Sequence, residues 1–404
     1  MKKIICAAAA FAMVAGVASV ASAKGVTLGG DARARWIIKD NGSKESNEWN
    51  SRFRVKITGK TEGGAFAKAR IRLADTSWDG TNLTRDKGEA SNIYTDYAWI
   101  GIPVAKGLMI EGGLMTADFS PWFYWDGRKD RFKVTYKTGG FKIVGTFDKD
   151  VELTDNEADE KDDNDQNSLG VSVINKFGDA LTAKARIVYV MDNRDYVEKG
   201  EAEVDTGAQD GDGNACVGTC TTLSDVQPWD DKSGMKGSVN VAAKFGGSNL
   251  IAEVSYKAAG VAGGGADDQV GAYAEWNAKM GAIIPTVRLG TTMDGFKADA
   301  DWGWIMIGSG EPITMYDQVG QGGDTIFLGA SSKFLASENL ALQANFVYMD
   351  VDTDDMANPM ELSGQVVWKV AKGAELSLKA GYLGQDSDQV DDGFGIYTRF
   401  RLKF

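Results

Sequence analysis

The stretch Gly393-Phe394-Gly395-Ile396-Tyr397-Thr398-Arg399-Phe400-Arg401-Leu402-Lys403-Phe404 alternates with period two. Phe394, Ile396, Thr398, Phe400, Leu402 and Phe404 fall on one face, and Arg399, Arg401 and Lys403 on the other. Successive side chains of a strand point to opposite faces, so this is a strand with an apolar side and a basic side. The first segment repeats the pattern: Val26, Leu28, Gly30, Ala32, Ala34, Trp36 and Ile38 oppose Asp31, Arg33, Arg35 and Lys39. Ser51, Phe53, Val55 and Ile57 then oppose Arg52, Arg54, Lys56 and Lys60. Ala65, Ala67, Ala69, Ile71 and Leu73 oppose Lys68, Arg70 and Arg72.

The alternation continues along the chain. It predicts strands near 92–102, 107–117, 131–138, 141–149, 167–177, 180–192, 236–246, 249–259, 268–279, 283–293, 323–335, 339–350, 360–371, 374–384 and 393–404. With the first three segments these make about 18 strands, with 16 as the alternative, because 294–322 could hide or remove a strand pair. Connections alternate in length. Thr61-Glu62-Gly63-Gly64, Lys137-Thr138-Gly139-Gly140 and Gly246-Gly247-Ser248-Asn249 carry tight-turn chemistry, whereas 150–166 and 193–235 are long and acidic. Short turns at one end and long loops at the other describe an all-β, antiparallel up-and-down barrel whose roughly ten-residue strands suit a tilted membrane crossing. A soluble sheet of this length would leave long edges or need many crossings.

Composition narrows the function. The chain has 404 residues, 50 of them Gly, 6 Pro and no His. Without His there is no Ser-His-Asp triad, no Cys-His pair and no His-ligated metal or haem. Lys2 and Lys3, the apolar run Ile4–Val20 and Ala21-Ser22-Ala23 read as a cleavable signal peptide, 1–23, leaving one domain, 24–404. Loss of the two lysines takes the formal net charge from −13 to −15. Cys216 and Cys220 are then expected to form a small disulfide in an exported loop.

The signal peptide, the alternating terminal strand and the final Phe404 together resemble the Gram-negative outer-membrane porins. Gly381-Tyr382-Leu383 and Tyr397-Thr398-Arg399-Phe400 fit the style of their closing strands. The resemblance implies a barrel closed by pairing of its first and last strands, both termini at the periplasmic rim, contacts with outer-membrane lipid and lipopolysaccharide, and a homotrimer. It implies no cofactor and no nucleic-acid partner.

On that barrel the charged faces of adjacent strands add up. Arg33, Arg35, Arg52, Arg54, Lys56, Lys68, Arg70 and Arg72, joined at closure by Arg399 and Arg401, form a contiguous basic lumen wall, since neighbouring strands lie about 4.8 Å apart. Cations on the lipid side would cost about 2–4 kcal/mol each near the midplane, which assigns them to the lumen. Such a wall attracts anions. The third long connection, 118–130, is aromatic and carries Asp118, Trp122, Trp125, Asp126 and Asp130. It is expected to fold inward as a constriction, or to contribute its rings to an interfacial girdle. The run from Asp155 to Asp165 reads as a solvated outer loop. Asp210-Gly211-Asp212-Gly213-Asn214 opens like a calcium loop but has Ala215 and Thr221 where that loop needs Gly and Glu. The function expected is passive diffusion of small hydrophilic solutes, with anions favoured. The alternatives are a sheath around a partner such as a multihaem electron conduit, a structural or adhesive barrel, and an outer-membrane enzyme, the last disfavoured by the absence of a His base.

Overall fold

The protein is described by a computed structural model covering residues 23–78, 93–123, 127–152, 165–192, 233–262, 267–299, 301–321, 323–352, 358–386 and 392–404. Residues 1–22 of the leader, Trp125, Asp126, Cys216, Cys220, the stretch 210–214 and most of the acidic run after Asp155 lie outside the described residues.

The strands in chain order are β1 (Ala23–Asp40), β2 (Glu45–Thr61), β3 (Phe66–Trp78), β4 (Tyr94–Ala105), β5 (Leu108–Thr116), β6 (Arg128–Thr138), β7 (Phe141–Glu152), β8 (Asp165–Phe177) and β9 (Leu181–Asp192). They continue with β10 (Gly234–Phe245), β11 (Ser248–Lys257), β12 (Gln269–Ala278), β13 (Ile283–Met293), β14 (Asp324–Leu335), β15 (Leu340–Asp352), β16 (Pro359–Ala371), β17 (Ala374–Gln385) and β18 (Gly393–Lys403). All belong to one 18-stranded sheet in which each strand pairs antiparallel with its sequence neighbours. β1 pairs with both β2 and β18, so the sheet closes and has no edge. The 294–322 region adds no strand among the described residues, which settles the strand number at the larger of the two expectations.

Period-two alternation sets the two faces. On β11, Val254 is 54% exposed while its neighbours Glu253 and Ser255 are buried; on β16, Leu362 is 61% exposed between buried Glu361 and Ser363. The outward set is apolar around the whole barrel, including Leu169, Val171, Ile187, Val239, Leu289, Ile326 and Phe400. The polar and charged set points inward. A molecule surrounded by water would have the reverse arrangement.

Closure is specific at the seam. Arg33 stands opposite Arg401 on one side and Arg52 on the other, and Arg35 stands opposite Arg399. Beyond the last strand, Gly30 and Phe404 exchange two backbone hydrogen bonds, of 2.8 and 3.2 Å. The Phe404 ring lies over Gly30, in the space a Cβ there would occupy, with the Phe53 ring 5.8 Å away. At the turn after β16, Gly373 has φ +80°, a conformation that glycine adopts without steric cost, and its carbonyl accepts the Lys403 N–H at 2.7 Å.

The hydrophobic core lies inside the barrel. Trp122, Phe296, Ala298, Trp302, Ile305, Met306, Ile307, Ile313, Tyr316 and Val319 pack against inward residues such as Ile37, Tyr273, Phe327, Met349 and Tyr397. Trp122 and the residues from Phe296 to Val319 come from two long connections, after β5 and after β13, that fold back into the lumen.

Candidate functional site: a basic wall facing two inward segments

The β5–β6 connection enters first. Its Ser120 hydroxyl donates to Glu253 Oε1 at 2.5 Å, and Lys184 Nζ donates to the Phe119 carbonyl at 2.8 Å. Phe119 and Phe123 pack on Val188, Val190 and Val261. Trp122 stacks with Phe296 at 5.8 Å and meets Trp302 edge-on at 5.0 Å, so it joins the two inward segments. Asp118 is exposed. Asp130 does not belong to this connection. It lies in β6, opposite Leu114 and Lys149, and is exposed next to outward Phe132, because β6 begins at Arg128.

The β13–β14 connection is the larger insertion and is held at four points. Glu361, fully buried on β16, accepts the backbone N–H groups of Ile305, Met306 and Ile307 at 3.2, 3.0 and 2.9 Å, and also the Ser363 hydroxyl. Arg288 on β13 donates to the carbonyls of Trp302 and Gly303, pairs with Glu275 at 2.7 Å and lies over the Trp304 ring at 4.7 Å. Lys39 donates to the Thr314 carbonyl at 2.6 Å. Glu311 reaches Lys379 on β17 and the Tyr397 hydroxyl on β18. Burial works to raise the Glu311 carboxyl pKa, but Lys379, Tyr397 and Arg399 outweigh it and leave the group below its ordinary value of 4.5.

One open space lies between this insertion and the strands around the seam. It is a cavity of about 860 Å³ lined by Arg33, Arg35, Arg52, Arg54, Lys56, Arg70, Arg401 and Lys403, with Asp31, the seam backbone, and Gly310 and Pro312 of the insertion. Arg399 pairs with Glu375 at 2.9 Å, and Arg35 donates to Asn50 at 2.8 Å. Lys68 lies over the rings of Phe66 and Trp99, at 4.8 and 5.3 Å, and Arg72 lies over Tyr94 at 5.0 Å.

Two carboxylates are threaded through these cations. Asp31 accepts Arg54 Nη2 at 2.8 Å and Nε at 3.1 Å, with Arg52 Nη2 at 3.9 Å. Asp96 contacts Arg70, and lies 3.2 Å from Arg128 Nε, 3.4 Å from Arg72 Nε and 3.7 Å from Arg54 Nη1. A register shift in β4 positions it. Arg70 faces Tyr97 and Ile71 faces Thr95, so Asp96 between them is a bulge residue without a ladder partner. Cations still outnumber carboxylates several-fold, so the cavity presents a positive surface to any solute.

Sequence reasoning did not single out Asp96, Arg128, Glu253, Arg288, Glu311, Glu361 or Lys379. Glu361 shares an alternation phase with Ser363 and Gln365, a legible mark of an inward carboxylate. Phe296, Trp302, Trp304, Ile305, Met306 and Ile307 also carry a signal, since a solvated outer loop has no need of them.

No protein-family model matches the sequence, and no curated protein matches it. Solved structures do. OccK5 (OpdH) of Pseudomonas aeruginosa superposes with TM-score 0.59 at 11% identity, covering 95% of this chain and 100% of that one. OccK3 (OpdO) of the same organism gives 0.58 at 12%, covering 94% and 95%. A BenF-like porin from Pseudomonas fluorescens Pf-5 gives 0.58 at 13%, covering 94% and 99%. The closed 18-stranded barrel with an apolar exterior and a charged interior is therefore the porin fold.

Proposed function

We propose that the protein is an outer-membrane diffusion channel for small hydrophilic solutes and that its basic wall favours anions. The observation that carries this reading is the cavity between the seam strands and the β13–β14 insertion, lined by cations from four adjacent strands and bounded on the insertion side by Gly310 and Pro312. Clustered fixed cations in a water-filled passage raise the local concentration of anions and lower that of cations. The apolar exterior supports a membrane location, with export by the leader and lipid and lipopolysaccharide as surroundings. The similarity to porin barrels favours a channel over an enzyme. The homotrimer implied by the family resemblance is tested by cross-linking in detergent.

Purified protein reconstituted in a planar bilayer is expected to give ohmic current steps whose reversal potential in a salt gradient shows anion preference. Reversing charge at Arg52, Arg54 and Arg70 to Glu should lower that preference. Folded protein that passes no current would overturn the channel reading. Unchanged selectivity in the reversed variant would overturn the role of the wall.

A further inference from the structure

We propose that Asp96 is a positioning residue that sets how strongly the wall holds a passing anion. This rests on the channel reading above and adds to it the residue that limits its selectivity.

The carboxylate is almost fully buried and touches four guanidiniums, those of Arg54, Arg70, Arg72 and Arg128. These come from β2, β3 and β6, so one side chain on β4 gathers cations from both of its flanks. Arg54 also grips Asp31, which makes an alternating chain Arg52–Asp31–Arg54–Asp96–Arg70 across the wall. Arg54 is hydrogen-bonded to Asp31 and Arg128 to Asp96, while the Asp96 carboxylate holds Arg54, Arg70 and Arg72 by close ion pairing and cancels part of their field. The bulge in β4 falls at this residue. A regular strand would have left Asp96 on the opposite face from Tyr97, whose ring lies 4.5 Å from Arg70.

A passage must attract its solute and also release it. Without the shared counter-charge, the four guanidiniums would bind an anion in its place, and transport would slow as selectivity rose. Asp96 thus tunes the wall from strong capture toward weak, rapid exchange.

The test is Asp96→Asn against Asp96→Glu, each in the full chain in planar bilayers. In a potassium chloride gradient, Asp96→Asn should raise the anion-to-cation permeability ratio about threefold at low salt, and the gain should shrink as salt screens it. Inorganic phosphate should block this variant at lower concentration than it blocks the parent. Asp96→Glu keeps the charge and should restore both readouts toward the parent values. Asp31→Asn, on the other side of Arg54, should shift the ratio in the same direction and serves as the second reading if Asp96→Asn does not fold. A merely structural role predicts the opposite, a disordered wall with a lower ratio in Asp96→Asn. A lower or unchanged ratio in the folded variants overturns the proposal while leaving the channel reading intact. A parent protein without current overturns both.

Discussion

Replacing Glu361 by Gln should loosen the β13–β14 insertion without disturbing the barrel. In the parent, one carboxylate accepts three consecutive backbone N–H groups and the Ser363 hydroxyl. An amide keeps one acceptor oxygen and presents an NH₂ donor where the other stood. The Ile305 N–H, bound to Oε1, then faces a donor, while Met306 and Ile307 keep a neutral acceptor. An orphaned buried donor costs about 1–3 kcal/mol, and each bond that loses charge assistance costs roughly a further 1 kcal/mol. Relief of the buried charge offsets part of this. A net of about 2 kcal/mol remains, which shifts the balance between seated and displaced insertion more than tenfold. Chymotryptic cleavage at Trp302, Trp304 and Tyr316 reads that balance, because slow cleavage tracks the population of the open form. The rate in liposomes should rise more than tenfold while the barrel keeps its strand content. An unchanged rate at those sites, mapped by mass spectrometry, would refute the idea that Glu361 seats the insertion.

Trp122→Ala should empty the junction between the two inward segments, cost about 3–5 kcal/mol of packing, and appear as a lower unfolding temperature with a larger single-channel conductance. Val254→Arg should destabilise the barrel by about 2–4 kcal/mol in lipid refolding titrations if this outward position sits near the midplane. The Glu311 carboxyl is held below its ordinary value, so the contribution of its contacts with Lys379 and Tyr397 is complete above about pH 4.5 and is lost as pH falls through the depressed value. Conductance is therefore expected to hold steady from neutral pH to about 4.5 and to rise only in stronger acid, and Glu311→Gln should remove the acid step.

The barrel was legible because period-two alternation is a local property. Each of Arg33, Arg52, Arg70 and Arg399 declares its face through its immediate neighbours, and strand pairing in sequence order then stacks those faces into a wall. The same rule places Glu361 inward, although nothing local says what it binds. The stretch 294–322 has no such period, so its apolar residues could be read neither as strand nor as plug. Alternation predicts a strand only from Arg131, which leaves Asp130 in the loop; β6 begins at Arg128, and the shift moves Asp130 to the outer face.

By itself, the sequence determined the strands, their number within two, the sidedness of the first three strands and the last, and the basic seam, all consequences of a two-residue repeat read against the cost of charge in hydrocarbon. Only the tertiary structure decided what fills the barrel and what neutralises its wall. Trp122 meets Trp302 across a sequence separation of 180, Glu361 caps residues more than fifty positions earlier, and Asp96 gathers arginines from three strands through a single bulge. Contacts of that kind depend on closure of the whole sheet, which brings distant segments into one interior and leaves no trace in the local pattern.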